Sequence, residues 1–259
     1  VHQWDPAWEE VAFRAARAAG KLLKAQFGKV KHIEYKGKID LVTEADRESE
    51  HIIVTLLQEY FPHHTIVAEE GGVKSGPAPY RWIIDPLDGT TNYAHGLPIF
   101  SISIALALEK DLLLGIVYDP LREELFFARK GKGAFLNSAP IAVSGTSSLD
   151  KSLLSTGFPY DARESKENNV NYFSSFVHHA QAIRRCGSAA LDLAYVGAGR
   201  FDGFWEIKLR PWDVAAGALI VREAGGVVSN FSGDTLRTDP REILAANGKI
   251  QSAMLEIIQ

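Results

Sequence analysis

The sequence is almost without sulfur: one cysteine, Cys186, and one methionine stand among 259 residues. A single thiol excludes an internal disulfide and fits a reducing, cytoplasmic setting. Asn and Gln are sparse as well, a composition seen in heat-tolerant proteins. Long apolar runs are missing. None approaches the ~18 residues of a membrane span, so no membrane partner is expected. No leader is legible between Val1 and Ala25, where charges recur throughout. A basic excess is also absent. Lys and Arg total 28 against 32 Asp and Glu, for a net charge of −4. That balance gives no bulk case for nucleic acid and suits a protein that holds cations. No internal repeat or low-complexity segment appears.

What the chain does have is core. With 46% hydrophobic residues it can fold as one large domain or as two halves sharing an interface. One stretch organises the rest. Trp82-Ile83-Ile84 reads as a buried strand that stops at Asp85-Pro86, because Pro86 cannot donate to a ladder. Asp88-Gly89 makes a tight turn, and Thr90-Thr91-Asn92 opens a short helical turn. Two carboxylates thus close a strand, followed by free backbone N–H groups. In isolation such residues are ordinary turn punctuation. Hard cations want oxygen ligands, however, and an N–H-rich turn wants an anion. A metal beside a bound phosphate is the simplest functional reading.

The flanking segments fit that reading. Asp5-Pro6 caps a helix whose stripe runs from Trp8 to Leu23, with Gly28 as its stop. Lys31 to Tyr35 is expected to be extended, and Lys36-Gly37-Lys38 to turn. Thr43 and Asp46 form a capping box for a second helix, which by itself is a sufficient role for Asp46. Thr65 to Ala68 is a strand ending at Glu69-Glu70. If it neighbours the Asp85 strand, Glu69 reaches the same end as Asp85 and Asp88, and the three would repel unless cations neutralise them. Val73 to Tyr80 reads as a connector or mobile flap. Ile102, Ile104, Leu106 and Leu108 alternate with small residues, as in a strand packed under helices. Strands over 112–118, 124–128 and 134–143 follow. Ser144 to Ser148 marks a boundary, dividing the chain into halves 1–143 and 144–259. Helices then start at Gly187-Ser188 and at Pro211-Trp212-Asp213, where Asp213 sits well as a first-turn carboxylate. His63-His64 and His178-His179 lack helical metal-ligand spacing. Cys186 reads as a packing residue. Arg184, Arg185 and Arg210 read as substrate-rim or dimer-contact residues.

Asp85 through Tyr93 closely resembles the first signature of the inositol monophosphatases. Trp212 to Gly217, with Glu223 to Gly226, resembles their second. Leu41 to Asp46 and Ala68 to Glu70 are similar to two lesser motifs, in family order. Tyr93 stands where Phe is usual. The resemblance spans nearly the whole chain and implies an α+β or α/β fold, a layered αβαβα sandwich of the sugar-phosphatase type. It implies a Mg²⁺-dependent, Li⁺-sensitive phosphatase with two or three ions. Glu69, Asp85 and the Leu87 carbonyl would hold one ion; Asp85, Asp88 and Asp213 would hold another. Thr90 with Asp46 would orient the attacking water, with Glu70 nearby. Gly89 and Thr90 N–H groups would hold the phosphate. Gly187, Ser188, Ala189 and Glu206 would surround the alcohol, with Lys36 at the site's edge.

The expected activity is hydrolysis of inositol-1-phosphate by a homodimer. Fructose-1,6-bisphosphatase or dual sugar-phosphatase activity is the alternative. Histidinol-phosphate or adenosine 3′,5′-bisphosphate phosphatase, and an RNA- or transcription-associated scaffold, stand behind these.

Overall fold

The computed structural model describes residues 4–29, 33–35, 41–235 and 241–259. Asp5 opens helix α1 (Pro6–Gln26) by accepting from the Ala7 N–H at 2.9 Å. Strands β1 (Ile33–Tyr35) and β2 (Leu41–Thr43) pair antiparallel and lead into α2 (Glu44–Tyr60). Asp46 caps α2 reciprocally, taking the Thr43 N–H at 2.8 Å and the Thr43 hydroxyl at 2.5 Å. Then come β3 (Thr65–Ala68), β4 (Gly72–Lys74), β5 (Tyr80–Asp88) and the short α3 (Thr90–Ala94). A meander follows: β6 (Ser101–Leu108), β7 (Asp111–Asp119), β8 (Glu124–Arg129), β9 (Gly133–Leu136) and β10 (Ala139–Ile141). These strands form one sheet in the order β10-β9-β8-β7-β6-β5-β3-β4.

The second sheet draws on later residues: β11 (Leu153–Thr156), β12 (Ala182–Arg184), β13 (Gly203–Ile207), β14 (Val227–Ser229) and β15 (Glu242–Ala246). Its order is β12-β11-β13-β15-β14. Between and after these strands lie α4 (Val170–Val177), α5 (Ala189–Gly197), α6 (Pro211–Glu223) and α7 (Gln251–Ile258).

Side-chain alternation sorts these elements into layers. Ile102, Ile104 and Leu106 face α1 and α2, among Ala12, Leu23, Ile53 and Leu57. Ala105 and Ala107 face the other way, onto a core that α5 and α6 share with Phe204 and Ala245 of the second sheet. Phe176 of α4 and Met254 of α7 cover that sheet's far side, against Trp205 and Leu244. The result is the expected αβαβα sandwich. No helix among the described residues is long and apolar enough to cross a membrane.

Three expectations fail, the last being the single strand over 134–143, which is instead the antiparallel pair β9 and β10. The strand at Trp82 does not stop at Asp85-Pro86 but runs on to Asp88. Asp85 pairs with Ser103 and Asp88 with Ser101, so β5 carries one residue more than β6 across this step. That bulge takes Pro86 out of the ladder, which is how a strand tolerates a residue without an N–H. The second failure is the segment from Val73 to Tyr80. Its start is β4, paired to β3, and the Ala78 N–H bonds to His63 O at 2.9 Å. A backbone carbonyl of the turn before β3, invisible in local composition, meets its later part.

Small residues bring α6 onto the central sheet. A Cβ on Gly115 would stand 2.7 Å from the Ala216 carbonyl. We expect Gly115→Ala to destabilise the fold by about 1–3 kcal/mol through overpacking, read as a lower denaturation midpoint in urea. Because α6 carries Asp213, turnover should fall with it.

Candidate active site

Strand direction assembles the site. β3 and β5 are parallel, with Ala68 opposite Ile84. The next residues, Glu69 and Asp85, therefore emerge side by side, and the Glu69 N–H bonds to Ile84 O at 3.2 Å. The bulge then turns the chain: Asp85 Oδ1 accepts the Leu87 N–H at 3.0 Å. Gly89 takes a φ of +98°, a conformation open to glycine, and launches α3. Thr90 points back, its hydroxyl 2.8 Å from Asp46 Oδ1 and 3.0 Å from Leu87 O.

The later part of the chain closes the other side. Asp213, at the start of α6, accepts the Arg210 N–H at 2.6 Å. Asp88 reaches across to the start of α5. Its Oδ2 accepts the Ser188 hydroxyl at 2.5 Å and the Ala190 N–H at 2.8 Å. Asn92 clasps the same turn, donating to Cys186 O and to Ile99 O, each at 2.8 Å.

These groups share a cavity of about 590 Å³. Glu69, Asp85, Leu87, Asp88 and Asp213 line it, with Gly89 and Thr90. Gly187, Ser188, Ala189 and Glu206 line it from the other side. Asp46 and Glu70 are not among the lining residues, Asp46 touching the site through Thr90, and Lys36 lies outside the described residues. A larger groove of about 920 Å³ opens at the opposite end of the sheet, by Tyr80 and Glu109 to Asp111. It gathers no buried acidic cluster, so the smaller cavity is the candidate site.

A model of the inositol monophosphatase family matches residues 5–259. The chain belongs to that family. It is 48% identical over 253 residues to an inositol-1-monophosphatase of Synechocystis sp., covering 97% of this chain and 88% of that one. It is 44% identical to Nus factor SuhB of Escherichia coli, over 95% of this chain and 93% of that one. The solved structure of an inositol monophosphatase from Anabaena (Nostoc) sp. matches with a TM-score of 0.89 at 43% identity, covering 97% of this chain and 95% of that one. As a member of the inositol monophosphatase family, the chain is a phosphoric monoester hydrolase.

The electrostatics of this cavity follow from burying like charges together. Asp85 is pushed well above the usual carboxylate range, first by burial and then by Glu69, Asp88 and Asp213. Burial also raises Asp213 well above that range, only partly offset by the Arg210 N–H. Asp88 rises to about 6, held there by burial against the Ser188 and Ala190 bonds. Glu206 rises to about 8, through burial and then the charge of Asp192, with Arg185 opposing. Asp46 is raised by burial, with the Thr43 and Thr90 bonds opposing.

A donor set of this kind suits a hard divalent cation. Among the described residues, no three acidic, imidazole or thiol groups are arranged as a ready-made ion cage. Mg²⁺ does not require one. It keeps several waters and binds through one or two carboxylates plus substrate phosphate. Oxygen donors facing one cavity, with Asp85 and Asp213 raised first by burial and then by neighbouring carboxylates, meet that requirement.

One buried acidic lining residue, Asp192, escapes the sequence reading. Asp192, 1% exposed on α5, leaves Oδ1 without a partner, while the Cys186 thiol bonds to the carboxylate. Its signal is a lone charge within the apolar run Ala189 to Ala194. Arg185 lines the cavity beside it, as does Arg210, whereas Arg184 is exposed outside the wall. Cys186 fits its packing role: burial and Asp192 push the thiol up to about 12. His64 stacks between Phe61 and Tyr80, and His178 and His179 are exposed; all stand outside the cavity wall.

The raised carboxylates make a prediction for chelator-treated protein. Between the ordinary carboxylate pKa and about 8, folded Glu206 retains a proton that the unfolded chain has released. Stability should therefore be greatest at the acid end of this window and fall as pH rises through it. Melting temperature measured against pH should show that decline, and Glu206→Gln should flatten it. Added Mg²⁺ should raise the melting temperature more above this window than at its acid end.

Proposed function

We propose that this chain hydrolyses the phosphate monoester of a small polyol or sugar, with inositol-1-phosphate as its leading substrate. The observation that carries the reading is the convergence of Glu69, Asp85, Asp88 and Asp213 on a cavity that also holds the Gly89-Thr90 turn and Glu206. Mg²⁺ is the cofactor we assign, as two or three ions. Glu69, Asp85 and the Leu87 carbonyl would hold one; Asp85, Asp88 and Asp213 would hold another, with Glu70 alongside. When bound, such ions acidify water and neutralise charge on a leaving oxygen.

The chain's own groups supply the rest. Phosphoryl transfer needs positioning and charge compensation more than covalent help. The Gly89-Thr90 turn offers N–H groups to phosphate oxygens. Thr90 has one hydroxyl proton, and the shorter contact commits it to Asp46. Its lone pairs are left to accept from the attacking water and aim it at phosphorus. As the water oxygen bonds to phosphorus, the ester P–O bond breaks and the alcohol leaves with a proton. Ser188 and Ala189 at the start of α5, with Glu206 opposite, receive the alcohol's hydroxyls. On this reading the two halves, divided near Ser144 to Ser148, meet at the site.

Fructose-1,6-bisphosphate is the runner-up substrate. A second phosphate would face Arg185, Lys208 and Arg210, which line the same cavity. An association with transcription machinery is supported by the Nus factor SuhB names among the relatives. It ranks lower because the acidic set is intact and the net charge is −4. The single cysteine supports a cytoplasmic location. The family resemblance supports a homodimer, which sedimentation tests.

Asp88→Asn and Asp213→Asn should keep the fold, lower turnover by orders of magnitude and weaken Mg²⁺ affinity. Near-normal turnover by both variants sinks the assignment. A screen with Mg²⁺, with and without Li⁺, over inositol phosphates, fructose bisphosphate, histidinol phosphate and adenosine bisphosphate should give the highest kcat/KM on inositol-1-phosphate. Li⁺ should inhibit.

A further inference from the structure

The inner face of α2 is more polar than packing against a sheet requires. Asp46, Ser49 and Glu50 are spaced i, i+3 and i+4, so they share one helix face. They are 1%, 0% and 8% exposed. Each binds a different segment that carries or adjoins a residue lining the cavity. Asp46 takes the Thr90 hydroxyl at 2.8 Å. Ser49 Oγ donates to the Pro86 carbonyl at 2.7 Å. Glu50 Oε2 accepts the Glu70 N–H at 2.8 Å, and the Gly71 N–H also bonds to that carboxylate.

We propose that α2 is a template for the site, and that Ser49 and Glu50 are positioning residues that fix the spacing of the Glu69 and Asp85 carboxylates. Neither touches a reactant. This inference rests on the Mg²⁺ reading above and adds what holds its oxygen donors in place. Ser49 grips the bulge of β5, where the ladder to β6 is interrupted. Without that bond the chain from Asp85 to Leu87 has lost one of its lateral supports. Glu50 grips the turn that follows Glu69. Its two rigidly joined oxygens are both acceptors, so one side chain can hold the consecutive N–H groups of Glu70 and Gly71. A buried carboxylate is otherwise a costly way to satisfy a turn. The fit is close: a Cβ on Gly71 would stand 2.5 Å from Glu50 Oε1.

The test is a Mg²⁺ titration followed by melting temperature, with steady-state kinetics in parallel. Glu50→Ala should raise the Mg²⁺ concentration for half-maximal stabilisation by about 10- to 100-fold, the usual effect of removing a group that orients a metal ligand. KM for inositol-1-phosphate at saturating Mg²⁺ should stay unchanged. Glu50→Gln keeps one acceptor and should fall between Glu50→Ala and the wild type. Ser49→Ala should shift the requirement in the same direction. A Glu50→Ala protein that melts earlier but keeps the wild-type Mg²⁺ dependence overturns the proposal, as does a Glu50→Gln protein no better than Glu50→Ala. If Glu50→Ala fails to fold, Gly71→Ala probes the same contact, and an unchanged Mg²⁺ requirement there also overturns it. A wild type that Mg²⁺ does not stabilise overturns the metal reading itself, and this inference with it.

Discussion

Like charge gathered in one buried place is the constraint on which this structure depends. Asp85 is 2% exposed, with Glu69, Asp88 and Asp213 all close enough to raise its pKa. Such an arrangement is costly for an isolated protein, because burial and repulsion act in the same direction. Much of the local architecture offsets that cost. Asp85 takes the Leu87 N–H, Asp213 takes the Arg210 N–H, and Asp88 takes Ser188 and Ala190. These bonds hold the carboxylates where a cation can meet them.

The scaffold delivers those groups through element ends. β3 and β5 are parallel neighbours, so two strands finish at the same edge. The starts of α5 and α6 approach from the second sheet's side, each exposing N–H groups that favour negative charge. Small residues make the approach possible: Ala105 and Gly115 on the sheet, Ala216 and Gly217 on α6. A Cβ on Gly217 would stand 2.5 Å from Leu193 Cβ, so α5 and α6 are also drawn against each other. The spacing of the acidic groups is set by backbone packing more than by their own side chains.

This explains which parts of the site were legible in the sequence. Asp85, Asp88 and Asp213 sit beside strong local punctuation: an apolar run, a proline, a glycine. Glu69 follows a short strand, and its placement needed only the pairing of that strand with the next. Asp192 was hidden because its neighbours read as an ordinary apolar helix, and only the assembled cavity sets its carboxylate apart. Glu50 was hidden for the converse reason, since a glutamate on a helix reads as a solvated face. The course of β5 beyond Pro86 depended on register with β6, and β4 depended on an edge supplied by β3. Both are relations between distant segments, which composition does not carry.

The bond set at Asp88 has one more consequence. One oxygen of that carboxylate is committed to Ser188 and Ala190, while its environment is shared with Asp85 and Asp213. On the proposed reading, the seat for an alcohol and the seat for a cation would thus be two ends of a single side chain. Any occupant that stiffens one end lowers the entropy still to be lost at the other. Thermodynamic reciprocity then requires that, if one occupant tightens the other, the second tightens the first by the same factor.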